Sequence, residues 1–298
     1  MTTPQPRRTA RLLGSTVLAS ALALGVVAGT TAEAGAATVA QSRPAAATPA
    51  WARHAAHPIP FTAATVTDNA DGSYTISWAA TGLSGVTIYA GSTENAIDYR
   101  HPVAWVAGSG TITVPAADIP AAGASKDRQW FRLAPDKGEG LTLADRSLHL
   151  ASAPNFRDAG GYRTADGAWV KMGVVYRSGD ISKLSAADLA ELHRLGIHTV
   201  FDLRTDAEIK AAPDKVPAGA KDIQENILGA AGTSGFAPTT PAAATQEMIE
   251  AEQVMVEGSS AKAGYHNVFT GIADSKDLAV VYHCTAARTA PAGPAPCC

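Results

Sequence analysis

DLAVVYHCTAARTAPAGPAPCC, residues 277–298, is the stretch that decides the fold. Leu278 to Tyr282 form an apolar, partly β-branched run, which reads as a buried strand delivering His283 and Cys284 into a loop. In an open α/β sheet, ligands bind and chemistry occurs at the carboxyl ends of such strands. A cysteine at that place is either a small buried hydrophobe or a nucleophile. The residues after it carry the decision.

Val281 to Ala286, VYHCTA, resembles the start of the phosphate loop of the secreted bacterial tyrosine phosphatases, H-C-x-x-G-K-D-R-T-G. In that family the thiolate sits at the centre of a C-x5-R loop, backbone N–H groups surround the phosphate, and an arginine closes the ring. This chain departs from the pattern: Arg288 stands four residues after Cys284, and the family's arginine position holds Ala290. Ala287 to Cys298 can be spelled in G+C-rich codons such that one base added in front regroups them into Gly-Lys-Asp-Arg-Thr-Gly and onward to Leu-Leu. A frameshift after Ala286 is therefore expected, leaving the loop disrupted and the chain truncated. Pro291, Pro294 and Pro296 also remove N–H donors from the tail, which is expected to be disordered and unable to form a covering helix.

The resemblance extends upstream. Asn155 to Tyr162, NFRDAGGY, matches the family's N-F-R-D-x-G-G-Y opening, Val175 to Ser178 its V-Y-R-S segment, and Val200 to Arg204 its V-x-D-L-R segment. It implies a phosphoric monoester hydrolase acting through a phosphocysteine intermediate, with Cys284 as nucleophile and Arg288 as the arginine left beside it. It implies no metal or other cofactor, and phosphorylated protein or phosphoinositide as substrate. Asp202 is either a general acid or half of a structural ion pair. Asn155, Arg157 and Arg204 are assigned to phosphate or structural support. Gly160-Gly161 permits a tight turn, and Arg157 and Asp158 are expected to pair as a brace.

Ser185, with Asp188 three residues on, starts a helix carrying the stripe Leu189, Leu192 and Leu195, which Gly196 ends. Ile197 to Arg204 is a strand ending in charge. His198 within it reads as ordinary packing. Pro213 to Pro241 reads as an irregular loop, Gln246 to Glu257 as an amphipathic helix, and Tyr265, Val268, Phe269 and Ile272 as core residues at helical spacing.

The chain before this half has a different texture. Arg7, Arg8 and Arg11 precede an apolar run from Leu12 to about Val27, and Ala34-Gly35-Ala36 offers a cleavage site, so residues 1–36 read as a signal peptide and 37–57 as a disordered linker. Gly72 to Trp78 alternates, with Tyr74, Ile76 and Trp78 on one face after the Asp71-Gly72 turn. Thr65–Thr67, Val86–Ala90, Val103–Val106, Thr111–Val114, Gln129–Leu133 and Ser147–Leu150 suit further strands. The spacing of Trp78 and Trp130 resembles a fibronectin- or immunoglobulin-like domain.

The expected architecture is multidomain: an all-β sandwich over 58–150, then an α/β phosphatase domain with a mainly parallel sheet over 153–298, incomplete at its C-terminus. A formal net charge of -3 and pI near 6.2 give no sign of a nucleic-acid partner. The protein is expected to be secreted or extracytoplasmic, with no stable membrane span after signal cleavage. The alternative function is a noncatalytic exported binding protein using the sandwich.

Overall fold

Alternating apolar residues before residue 150 and blocks of apolar residues after it give two kinds of sheet. The computed structural model describes residues 58–230, 237–274, 276 and 278–285. The expected signal peptide, the linker, Arg288 and the proline-rich tail lie outside the described residues.

The described residues of the first half hold seven antiparallel strands: β1 (Phe61–Asp68), β2 (Tyr74–Ala80), β3 (Gly85–Gly91), β4 (Ile97–Ala107), β5 (Gly110–Val114), β6 (Trp130–Pro135) and β7 (Leu141–Ala144). They form a sheet of order β1-β2-β5 and another of order β4-β3-β6-β7. The alternation in β2 works as read, turning Ile76 and Trp78 inward with Tyr74 beside them. The Trp78 indole N–H donates to the Gly108 carbonyl at 2.9 Å, so burying the ring leaves no orphan donor. Phe61, Ile76, Val86, Ile88, Phe131 and Leu133, drawn from both sheets, are fully buried in one core. Each such side chain contributes about 1.5–3 kcal/mol.

One expectation changes here. The strand proposed for Ser147–Leu150 is absent, and the seventh strand is β7. The Asp145 carboxylate accepts from the Ser147 amide at 2.8 Å and turns the chain, and His149 has φ 53, which no extended strand permits. Only Ser147 keeps a bridge, to Arg157, while Leu148 and Leu150 drop into the second core. Trp105, midway along β4, is 64% exposed.

The second half adds β8 (Arg157–Asp158), β9 (Val175–Ser178), α1 (Ala186–Arg194), β10 (Thr199–Asp202), α2 (Asp206–Ala211), β11 (Lys221–Gln224), α3 (Pro241–Glu257), α4 (Ser259–Ala273) and β12 (Val280–His283). The sheet is mixed, in the order β11-β10-β12-β9-β8, parallel throughout except for the β8–β9 pair. One face buries Tyr176, Val200 and Val281 with Leu192 of α1 and Phe156. The other buries Phe201 and Val280 with Ala261 and Val268 of α4. The α1 cap is as read: Ser185 accepts from the Asp188 amide, and Gly196 closes the helix at φ 79.

Three further readings are corrected. The loop Pro213–Pro241 contains β11, an edge strand in which only Ile223 is half-buried, so it carries no alternating signal and is held by backbone pairing to β10. Phe269 is 64% exposed, because α4 turns its narrow stripe of Ala261, Gly264 and Val268 inward and the next residue lies about 100° round the helix. Arg157 does not brace Asp158. The buried Asp158 carboxylate instead receives Arg128 Nη1 at 2.7 Å and the amides of Gly160 and Gly173, both at 2.7 Å. Gly160 has to be glycine, since a Cβ there would lie 2.2 Å from the Lys171 carbonyl oxygen. No helix among the described residues is long and apolar enough to cross a membrane.

The docking of α1 against the first half carries a titration. Burial, then the carboxylates of Asp127 and Asp188, push Glu191 up to about 7. The unfolded chain releases this proton at a lower pH than the folded one, so stability falls as pH rises between the two values. Glu191→Gln is expected to raise stability at pH 8 by on the order of 1 kcal/mol, a figure reduced for partial exposure, and to change it little at pH 4. Urea unfolding at the two pH values checks this; equal effects at both would contradict it.

Candidate active site

Three parallel strands end side by side. Their register pairs Ser178 with His283 and His283 with Asp202, so Cys284 leaves the sheet between the ends of β9 and β10. The Leu203 amide donates to the His283 carbonyl at 3.0 Å, extending the pairing to the last residue before the cysteine. Cys284 is half-buried and packs against the core shared with Tyr282 and Phe201.

Beneath it is a buried charge network. Arg204 donates from Nε and Nη2 to the two oxygens of Asp202 at 2.8 and 2.7 Å, from Nη2 also to Asp214 Oδ1 at 2.6 Å, and from Nη1 to the Ala212 carbonyl at 2.9 Å. His283 Nε2 meets Asp214 Oδ2 at 2.6 Å and lies 3.7 Å from Asp202 Oδ1. Both neighbours are acceptors, so Nε2 carries the proton, while Nδ1 is buried without a partner among the described residues. All four side chains are at most 1% exposed.

The chemistry of these groups follows from that packing. Burial alone would raise the Asp202 carboxyl, but the Arg204 fork, with His283 close by, outweighs it and holds the group below the usual carboxylate range. Arg204 is itself held up, first by its hydrogen bonds to Asp202. Asp202, Asp214 and His283 present donor atoms within 4.8 Å of one another, a spacing a metal ion could bridge. Arg204 already lies between the two carboxylates as their cation, so an ion there would have to displace a bidentate guanidinium.

Of the residues singled out from sequence, Cys284, Asp202 and Arg204 come together at this edge, and Asn155 and Arg157 lie at and before β8, on the far side of β9. Arg288 lies outside the described residues. The sequence reading missed Asp214, which sits in the loop read as irregular and gives no periodic signal. Glu208 closes the α2 capping box on Thr205 with its carboxylate and accepts from the hydroxyl of Thr285, just after the cysteine. The S/T-x-x-E pattern of Thr205 and Glu208 was the available signal for that cap. Asp180 stands half-exposed at 3.7 Å from Arg204.

Residues 148–288 match the tyrosine phosphatase family. A Cupriavidus necator protein named as a candidate tyrosine-protein phosphatase is 29% identical over 145 residues, which is 47% of this chain and 52% of that protein. The triple specificity protein phosphatase PtpB of Mycobacterium tuberculosis is 41% identical over 71 residues, 24% of each chain. The matched part spans about half or less of these relatives. Within residues 148–288, then, the chain is similar to tyrosine phosphatases.

Arg204→Leu is expected to cost about 3–5 kcal/mol, because it strands two carboxylates in the interior. The stabilisation held by Asp202 is full above about pH 4 and is lost as pH falls through its depressed folded value, so the variant should also lose that acid limb. Denaturant unfolding between pH 3 and 7 checks both; a loss below 1 kcal/mol would show the network to be ornamental.

Proposed function

We propose that this chain is a phosphoric monoester hydrolase of the cysteine-dependent tyrosine phosphatase type, with Cys284 as nucleophile and its phosphate loop interrupted after Ala286. The observation that carries the reading is the delivery of a half-buried thiol to the carboxyl edge of three parallel strands, beside His283, whose ring is pinned by Asp214. In the uninterrupted loop the Cys284 thiolate attacks phosphorus, the alcohol leaves, and water cleaves the phosphocysteine. Asp202 acts as the anchor of Arg204 rather than as a proton donor, since both its oxygens are occupied and it is held ionised. Phosphorylated protein or phosphoinositide is the substrate class, and the Arg-rich, apolar start of the chain supports export.

The sequence as written weakens this chemistry. Arg288 falls two positions short of the family's spacing, and the prolines at 291, 294 and 296 disfavour the helix that would follow the loop. One base restored after the Ala286 codon returns Gly-Lys-Asp-Arg-Thr-Gly.

A second reading, ligand binding by the first half, is favoured by Trp105 and Tyr99, 64% and 61% exposed on β4, with the Trp105 ring lying over Gly85. Pull-down by residues 58–150, beside phosphate-ester hydrolysis by the whole chain, separates the two.

The frame-restored protein is expected to hydrolyse p-nitrophenyl phosphate without added metal, and Cys284→Ser in it to abolish turnover. The chain as written should be slower by about a hundredfold or more, the usual cost of losing one preorganised charge stabiliser. Equal rates for the two forms would sink the interrupted-loop reading.

A further inference from the structure

Arg157 and Arg177 are direct partners across the β8–β9 pair. Residues so paired project from the same sheet face, and like charges placed there repel. Arg146 adds a third guanidinium. Its Nε and Nη2 donate to the Asp158 carbonyl at 3.1 and 2.8 Å, Nη1 donates to the Tyr162 hydroxyl, and its plane lies 4.0 Å over the Tyr162 ring.

Among the described residues, no carboxylate lies within ion-pair distance of Arg146, Arg157 or Arg177. The nearby Asp145 is committed to the amides of Asp68 and Ser147 and to His149. Arg157 Nε is buried without an acceptor. Burial first, then Arg146 and Arg177, lower the Arg157 guanidinium from its ordinary value, which is the mark of a cation short of an anion. A repulsive pair with a buried orphan donor and no ion pair of its own among the described residues is the kind of local cost that a bound partner offsets.

We propose that Arg157, Arg177 and Arg146 form an oxyanion site outside the cysteine loop that takes a phosphate group. A carboxylate satisfies one guanidinium fork, whereas the oxygens of a phosphate dianion can be shared between two. The site lies on the cysteine's side of the sheet. Arg177 is the register partner of Tyr282, and Tyr282 and Cys284 pack on the same core as Val175. From strand geometry, the Arg177 and Cys284 backbones are about 8 Å apart: about 4.8 Å across the sheet and about 6.6 Å along it. The arginines are therefore placed to hold a second phosphate of a peptide whose phosphoester reaches Cys284. That extension rests on the phosphatase reading; phosphate binding by the arginines does not.

Inorganic phosphate titrated calorimetrically into the chain as written, at constant ionic strength, tests the site. Saturable binding is expected, preserved in Cys284→Ala and weakened at least tenfold in Arg157→Gln and Arg177→Gln. Arg157→Gln should melt no lower than the parent without phosphate, because it removes a like-charge contact, and Arg157→Lys, which keeps the charge but loses the fork, should fall between the two. Absence of saturable binding, or binding lost in Cys284→Ala and untouched in the arginine variants, overturns the proposal. In the frame-restored enzyme, Arg177→Gln should raise KM for a doubly phosphorylated peptide at least tenfold more than for the singly phosphorylated one; equal effects overturn the extension alone.

Discussion

Arg204, buried among carboxylates at the ends of parallel strands, is the constraint on which the cysteine's position depends. A guanidinium cannot be taken out of water without anions and acceptors to meet it. Asp202 supplies two oxygens from the same strand, Asp214 another from the following loop, and Ala212 a carbonyl. Asp214 then has one oxygen left, and His283 takes it. Satisfying one cation thus fixes β10, the loop after α2 and the last residue of β12, and Cys284 is the next residue along. The strand end is thus held by buried groups committed to one another, and the proposed nucleophile Cys284 follows them directly.

A second buried cation plays the corresponding role between the two halves. Arg128, just before β6, reaches Asp158 at 2.7 Å, the Asp145 carbonyl at 2.8 Å and the face of Tyr176, with its guanidinium 4.6 Å from the Trp130 ring centre. Asp158 is in turn tied to Gly160 and Gly173, so the Gly160-Gly161 turn, β8 and β9 are registered against the antiparallel sheets. The family-like NFRD segment is in this respect a joint. Its aspartate faces Arg128 while its arginine, partly buried, lies on the other side of β8 with no ion-pair partner among the described residues.

What was legible in the sequence was what repeats or caps. Tyr74, Ile76 and Trp78 alternate because a half-buried strand demands it; Ser185 precedes α1 because the first turn needs an acceptor; Val280 to Tyr282 are apolar because the central strand β12, which begins two residues later than the apolar run, is covered on both faces. What was not legible was pairing over distance. Asp214 meets Arg204 and His283 from a loop without periodicity, Asp158 chooses Arg128 over its neighbour Arg157, and β11 is made by hydrogen bonds to β10 with almost no buried side chain. The expected strand at Ser147–Leu150 failed for a local reason, the Asp145 side chain capping the turn, which outcompetes an otherwise suitable apolar alternation.

The central proposal is that the sheet presents Cys284 as a nucleophile and that the loop, in the sequence as written, leaves it unactivated. The most direct measurement is the pH dependence of Cys284 alkylation by iodoacetamide, followed by peptide mass mapping in the written and the frame-restored chains. The account predicts a rate that still climbs above pH 8 in the written chain and one that has levelled off by about pH 7 in the restored chain, as for a thiolate held by an anion-binding loop. A plateau below pH 7 in the written chain, or identical profiles in both, would contradict it.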